Sequence, residues 1–168
     1  GDRIWAKAGT YIPTSFNGHD ESHHGNDLRH RHFAPRDGVE VYGGFAGHET
    51  SLDQRDWRAN PTILDGRVGP DAQVYHVLVN WHAKPGPNTI LDGLVITGGN
   101  ACGPAGYDGY GGGMISLGAD VGPTVRNCVF QDNHAIKGGG AFFADLGADA
   151  SFVNCIFRDN TADDLGGA

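Results

Sequence analysis

Histidines crowd one stretch of the chain, His19-Asp-Glu-Ser-His-His-Gly-Asn-Asp-Leu-Arg-His-Arg-His32. Neutral imidazole suits Zn²⁺, Cu²⁺ or Ni²⁺, which makes His19, His23 and His24 candidate ligands for a divalent metal. The stretch lacks a regular helical or zinc-finger spacing. Its plainer reading is a solvated polar insertion, and the alternative is a metal clip holding a long loop. No other cofactor is expected.

Carboxylates come next. Asp132, Asp159, Asp163 and Asp164 sit beside chain bends. Glycoside hydrolysis requires two carboxyl groups about 5–10 Å apart, one with a raised pKa. The run Asn160-Thr-Ala-Asp-Asp164 is faintly similar to galacturonase motifs, but the order is scrambled and the Gly-His-Gly and Arg-Ile-Lys elements are missing. A lyase base would have only Lys7, Lys84 and Lys137 to draw on among lysines. Charged groups at turns are ordinarily just hydrated, so no residue is assigned a catalytic role. Tyr107 and Tyr110 flank Asp108-Gly109 and are candidates for ligand or partner contact. They form either a sugar-stacking or protein-contact patch, or a cover folded back on the body. Trp5, Trp57 and Trp81 read as core or cap residues rather than as a glycan platform. Gly111-Gly-Gly113 and Gly138-Gly-Gly140 are not phosphate loops, since no Lys-Ser/Thr and helix follow them. They read as ladders that permit tight stacking.

The elements that must carry these groups are written in a repeat. Thr124-Val-Arg-Asn-Cys-Val-Phe-Gln-Asp-Asn133 returns as Ser151-Phe-Val-Asn-Cys-Ile-Phe-Arg-Asp-Asn160, an offset of 155 − 128 = 27. Thr62-Ile-Leu-Asp-Gly66 returns as Thr89-Ile-Leu-Asp-Gly93, again 27 residues on. From Ala101 to Ala135 the step is 34, which is 27 plus seven, the extra residues lying within Cys102–Tyr110. Apolar residues alternate at 94/96, 128/130 and 155/157, the period of two of a strand. Alternation breaks at Gly93, Asn127 and Asn154, and earlier at Gly66. Gly and Asn enter left-handed backbone readily, so a sharp bend is expected there, and a second at Gly99, Asn133 and Asn160.

Short strands joined by bends at a fixed period suit a solenoid of one coil per repeat, with equivalent strands stacked in parallel about 4.8 Å apart. The expected interior ladders are Leu94/Cys128/Cys155 and Ile96/Phe130/Phe157, with Gly93/Asn127/Asn154 at a bend. Three parallel sheets with almost no helix should result. Cys128 and Cys155 should be stacked free thiols, because the strand spacing exceeds the Cβ separation of about 3.8 Å that a disulfide wants.

These residues resemble a known family. Phe130-Gln-Asp-Asn133 and Phe157-Arg-Asp-Asn160 match the Phe-x-x-Asn motif of the chlamydial polymorphic outer-membrane proteins. Gly139-Gly-Ala-Phe142 and Gly166-Gly-Ala168 look like their Gly-Gly-Ala-Ile motif. Asp2–Tyr11, Gly38–Trp57 and Thr89–Ala101 are similar to bacterial β-helix repeat proteins. The resemblance implies an all-β right-handed parallel β-helix, secretion, and often adhesion. It does not imply an enzyme.

The expected organisation is one domain, with residues 1–61 as N-terminal cap and first coils carrying an inserted loop at 12–37. Residues 62–168 would be regular coils with an insertion at 102–110. Gly is 28 of 168 residues, and the net charge of −8 argues against nucleic acid, which wants a basic face. No segment approaches the ~18 uninterrupted apolar residues of a membrane span. The chain stops at Gly166-Gly-Ala168 without a capping unit, leading to the expectation of a longer parent chain or of copies stacked end to end. The expected function is an extracellular or cell-surface, adhesin-like scaffold meeting a glycan or protein. The alternative is a carbohydrate-active enzyme with its site partly outside this stretch.

Overall fold

A computed structural model describes residues 1–16, 27–81 and 83–167. His19, His23 and His24 lie outside the described residues. In chain order the strands are β1 (Arg3–Lys7), β2 (Gly9–Tyr11), β3 (Glu40–Phe45), β4 (Thr62–Asp65), β5 (Arg67–Gly69) and β6 (Ala72–Gln73). There follow β7 (Leu78–Asn80), β8 (Ile90–Asp92), β9 (Leu94–Thr97), β10 (Asn100–Ala101), β11 (Met114–Leu117) and β12 (Thr124–Arg126). The last are β13 (Val129–Gln131), β14 (His134–Ala135), β15 (Phe142–Asp145), β16 (Ser151–Val153), β17 (Ile156–Arg158) and β18 (Thr161–Ala162). Helix among the described residues is confined to two 3₁₀ turns, Leu28–His30 and Leu52–Gln54. Neither is long or apolar enough to cross a membrane.

Among the described residues the strands form four parallel sheets and one antiparallel pair. Their orders are β1-β3-β8-β12-β16, β2-β4-β9-β13-β17, β7-β11-β15 and β10-β14-β18, with β5-β6 as the antiparallel pair. Three parallel sheets are expected from the sequence. The fourth arises because the second bend is itself followed by two-residue strands that pair, as in Asn100↔His134 and Ala101↔Ala135.

Register follows the repeat in the second half of the chain. Val125 pairs with Phe152, and Phe130 with Phe157, each 27 residues apart. Leu91 pairs with Val125, and Ile96 with Phe130, each 34 apart. The seven extra residues are therefore absorbed in a loop without shifting a strand. Upstream, the 27-residue equivalence of Thr62–Gly66 with Thr89–Gly93 fails. Thr62 pairs with Leu94 and Ile63 with Val95, whereas Ile90 pairs with Glu40. The two copies thus lie in different sheets. Their likeness is local: each opens a strand with a buried Thr hydroxyl. Thr62 Oγ1 accepts from the Gly44 N–H at 3.0 Å, and Thr89 Oγ1 from the Gly38 N–H at 3.0 Å.

The first bend is left-handed at Gly93 (φ 73°), Asn127 (φ 53°) and Asn154 (φ 53°). Gly66 is not left-handed. It is Gly because a Cβ there would stand 2.6 Å from the Gly98 carbonyl oxygen, while its own N–H donates to the Thr97 carbonyl. The second bend also departs from expectation by one position: Gly98 (φ 75°), Asp132 (φ 53°) and Asp159 (φ 55°) are left-handed, not Gly99, Asn133 and Asn160. Asp tolerates this region as Asn does. The turn at 132 lets Asn133 point inward, buried to 1 % exposure. Asn133 Oδ1 accepts from the Gly99 N–H at 3.0 Å. Its Nδ2 donates to the Ile96 carbonyl at 3.1 Å and to Asn160 Oδ1 at 3.0 Å.

The interior is apolar. Leu78, Leu91, Leu94, Ile96, Met114, Val125, Cys128 and Phe130 belong to one buried cluster. Phe130 stacks on Phe157 at 5.2 Å between centroids. Cys102, Cys128 and Cys155 are free thiols, with Cys128 buried, Cys155 half-buried and Cys102 exposed.

Candidate functional site

The β7-β11-β15 sheet is apolar on two faces. Neighbouring residues in a strand point to opposite faces. Leu78, Met114 and Phe142 face the main core, and Val79, Ile115 and Phe143, which follow them, form a second cluster on the outer face. Leu117 joins this outer cluster and is buried with Ile115 to 2 % exposure. A sheet apolar on both sides must be covered on both. The cover here comes from the insertion at 102–110.

Tyr107 and Tyr110 of that insertion pack on the outer face. Tyr110 lies over Phe143 at 4.5 Å, and Tyr107 meets Tyr110 edge-on at 6.3 Å. Both rings fold back on the body, and Tyr107 also lines the cavity between loop and sheet. Four side-chain contacts latch the loop. The Tyr107 hydroxyl donates to Asp145 Oδ2 at 3.0 Å, and this hydrogen bond holds the phenol above its ordinary pKa. Lys137 Nζ donates to the Pro104 and Gly106 carbonyls at 3.4 Å each. The Lys137 ammonium also sits 5.4 Å from the Tyr110 ring centroid, within cation–π range.

The cover is incomplete. A half-open cavity of about 280 Å³ remains between loop and sheet, lined by Val79, Ile115, Leu117, Trp81, Tyr107 and Asp108 among others. Trp81, which reads from sequence as a core or cap residue, lines this cavity with 37 % of its surface exposed. Trp5 is likewise outside the core, 40 % exposed and stacked on Phe45 at 4.7 Å. Trp57 packs under the Arg55 guanidinium at 5.0 Å. His76 also lines the cavity, with its Nδ1 at 3.1 Å from the Gly111 carbonyl oxygen.

A second polar constellation lies on the outer face of the first sheet. Asp92, 2 % exposed, is held by Arg55 at 2.6 Å and Arg126 at 2.6 Å, one guanidinium on each carboxylate oxygen. Asn127 Nδ2 donates to Asp92 Oδ1 at 2.9 Å. Each of these groups is engaged by another, which makes the constellation a lock between neighbouring strands.

The remaining candidates stay apart. Asp132, Asp159, Asp163 and Asp164 are exposed at the bends. Asp132 accepts from Gln131 at 3.0 Å, and Asp163 stands 3.8 Å from the His134 ring. In the described part of the His-rich stretch, His30 packs edge-on against Tyr75 at 4.9 Å, and buried His32 contacts the His30 carbonyl at 2.9 Å. No group of three or more His, Cys, Asp or Glu side chains converges among the described residues. The cavity, with exposed Trp81 beside Tyr107, brings aromatic and polar groups together over an apolar floor. No family model matches the chain, and comparison with curated proteins and with solved structures gives no match either.

Proposed function

We propose that the chain is a stretch of right-handed parallel β-helix serving as a non-enzymatic, extracellular or cell-surface scaffold of adhesin type. Its partner, a glycan or a protein, meets it at the cleft between the 102–110 insertion and the β7-β11-β15 sheet. The observation that carries this reading is the half-open aromatic cavity of about 280 Å³ flanked by Trp81 and Tyr107. Concave, largely apolar sites with a few convergent polar groups are the default location for binding. The β-helix is supported by the constant parallel register, 27 residues between the last two repeats in each of three sheets, and by the Phe-x-x-Asn and Gly-Gly-Ala resemblance. That resemblance also supports the surface location.

The test is adhesion. Beads carrying the purified chain should bind a mucin-coated surface, and Trp81→Ala should abolish most of that binding while leaving the melting temperature unchanged. Absence of adhesion, or adhesion indifferent to Trp81, would overturn the reading. Turnover of a polysaccharide by the purified chain would overturn its non-enzymatic part.

A further inference from the structure

The walls of the cleft restrict what can occupy it. At about 280 Å³ the cavity lies at the small end of ligand pockets, which run from roughly 300 Å³ upward. That is room for a single ring. The floor is aliphatic, from Val79, Ile115 and Leu117, and two sides are aromatic, from Trp81 and Tyr107.

Charge narrows the choice further. Asp108 is among the lining residues, and Asp145 sits behind Tyr107, accepting from its hydroxyl. Across the loop, Lys137 Nζ holds the Pro104 and Gly106 carbonyls. Two carboxylates thus stand near the site against one ammonium that is turned to the loop carbonyls, a balance that disfavours an anion. A wholly apolar ring is disfavoured too, because Asp108 and His76 are among the lining residues. A carboxylate has about four lone-pair positions, so Asp108 can accept from a ligand hydroxyl beside the contact it already makes.

A pyranose meets all of these conditions. Its C–H face is apolar and lies flat on an indole or phenol, and its hydroxyl edge donates and accepts. We propose that the cleft binds one neutral pyranose residue of a glycan, stacked between Trp81 and Tyr107, with a hydroxyl donating to Asp108. This inference rests on the partner-contact reading above. Tyr107 is held ready by Asp145, so little ordering entropy is lost on binding.

Saturation-transfer NMR with methyl β-D-glucopyranoside, methyl β-D-galactopyranoside, methyl α-D-mannopyranoside and N-acetylglucosamine tests it. At least one should receive saturation on its ring C–H protons. Affinity should fall tenfold or more in Trp81→Ala and stay within a few fold in Trp81→Phe, which keeps an aromatic face. Trp5→Ala, on a different sheet, should bind as the parent does. Matching melting curves exclude unfolding as the cause. No transfer to any of the four sugars, or transfer unchanged by Trp81→Ala, overturns the inference. The two readings separate on mucin stripped of its glycans. Trp81-dependent adhesion that survives stripping overturns the sugar and leaves a protein partner at the same cleft, whereas no adhesion to either coat removes both.

Discussion

Asn154 donates its side-chain amide to the Asn127 side-chain oxygen at 2.7 Å, joining two left-handed bends that lie 27 residues apart. Asn127 in turn donates to Asp92 at 2.9 Å, so one line of hydrogen bonds crosses three successive bends. Asn127 both accepts and donates, and is the more buried of the two. Asn127→Ala should therefore destabilise by roughly 1–3 kcal/mol, from the lost bonds and the cost of a Cβ residue without a polar tip at positive φ. Asn154→Ala should cost less. Asn127→Gly should recover part of the loss, because Gly holds the bend freely. Thermal melts of the three variants check the order, and equal effects from Ala and Gly at 127 would contradict it.

The Asp92 clamp sets a larger expectation. Its carboxylate is 2 % exposed and Arg55 8 %. Removing one member of a buried pair leaves an uncompensated charge, at a cost of about 3–5 kcal/mol. Asp92→Ala should approach that range in urea denaturation. Arg126→Ala should do much less, since that side chain is 36 % exposed and Arg55 still neutralises the carboxylate.

The two stacked thiols should react unequally. Burial pushes the Cys128 thiol well above its ordinary pKa. A hydrogen bond from Cys128 draws Cys155 down to about 7, below the ordinary value of about 8.5. Thiolate is the reactive form, so iodoacetamide should label Cys155 with a rate that is half-maximal near pH 7. Cys128 should label only on unfolding. Peptide mapping across a pH series reads this directly, and equal labelling of the two would refute the arrangement.

Acid should loosen the loop after β3. The Glu49 carboxylate accepts from the backbone N–H groups of Ala46 at 2.7 Å, Gly47 at 2.8 Å and His48 at 3.0 Å. These bonds, that to Ala46 foremost, lower its pKa to about 2. A folded-state pKa below the unfolded value of about 4.3 stabilises the fold above that value, and the gain is lost as pH falls from about 4 through 2. The parent should lose more stability across this window than Glu49→Gln, and parallel pH–melting curves would count against the assignment.

Much of this architecture is legible in the amino-acid order. The Asn-Cys-x-Phe-x-Asp-Asn runs locate strands β13 and β17 and the first bend, because Asn is among the few side chains that accept positive φ. The same rule points one residue too far at the second bend. Asp132 and Asn133 are adjacent and both tolerate left-handed backbone, and only the inward hydrogen bonds of Asn133 decide which residue turns. Thr62-Ile-Leu-Asp-Gly66 misleads for a different reason. A strand-opening Thr is a local signal, whereas register depends on packing against a neighbour that the local motif does not name.

Tyr107 is visible as part of an insertion, but its companions in the cleft are not. Val79 lies on β7 with Trp81 just beyond its end, Ile115 and Leu117 lie on β11, and neither short run names the other as its neighbour. One signal is present all the same. Leu78-Val79, Met114-Ile115 and Phe142-Phe143 are consecutive apolar pairs on three strands of one sheet. Such pairs mark strands covered on both faces, and so point to the sheet on which the insertion must lie.

The spacing of Asn127 and Asn154 also governs how such a chain can change its length. Removing residues 128–154 as one block would join Asn127 to Cys155, restoring the Asn-Cys junction and leaving the following Ile-Phe-Arg-Asp-Asn run to take the places of Val129–Asn133. Removing a few residues fewer would turn inward-facing side chains outward or leave a bend residue in a strand. The seven extra residues within 102–110 show the other permitted kind of change, confined to a loop while Leu91↔Val125 and Ile96↔Phe130 keep step. Changes of length are therefore quantised within the paired strands and continuous only between them, so a loop can gain residues without disturbing the interior.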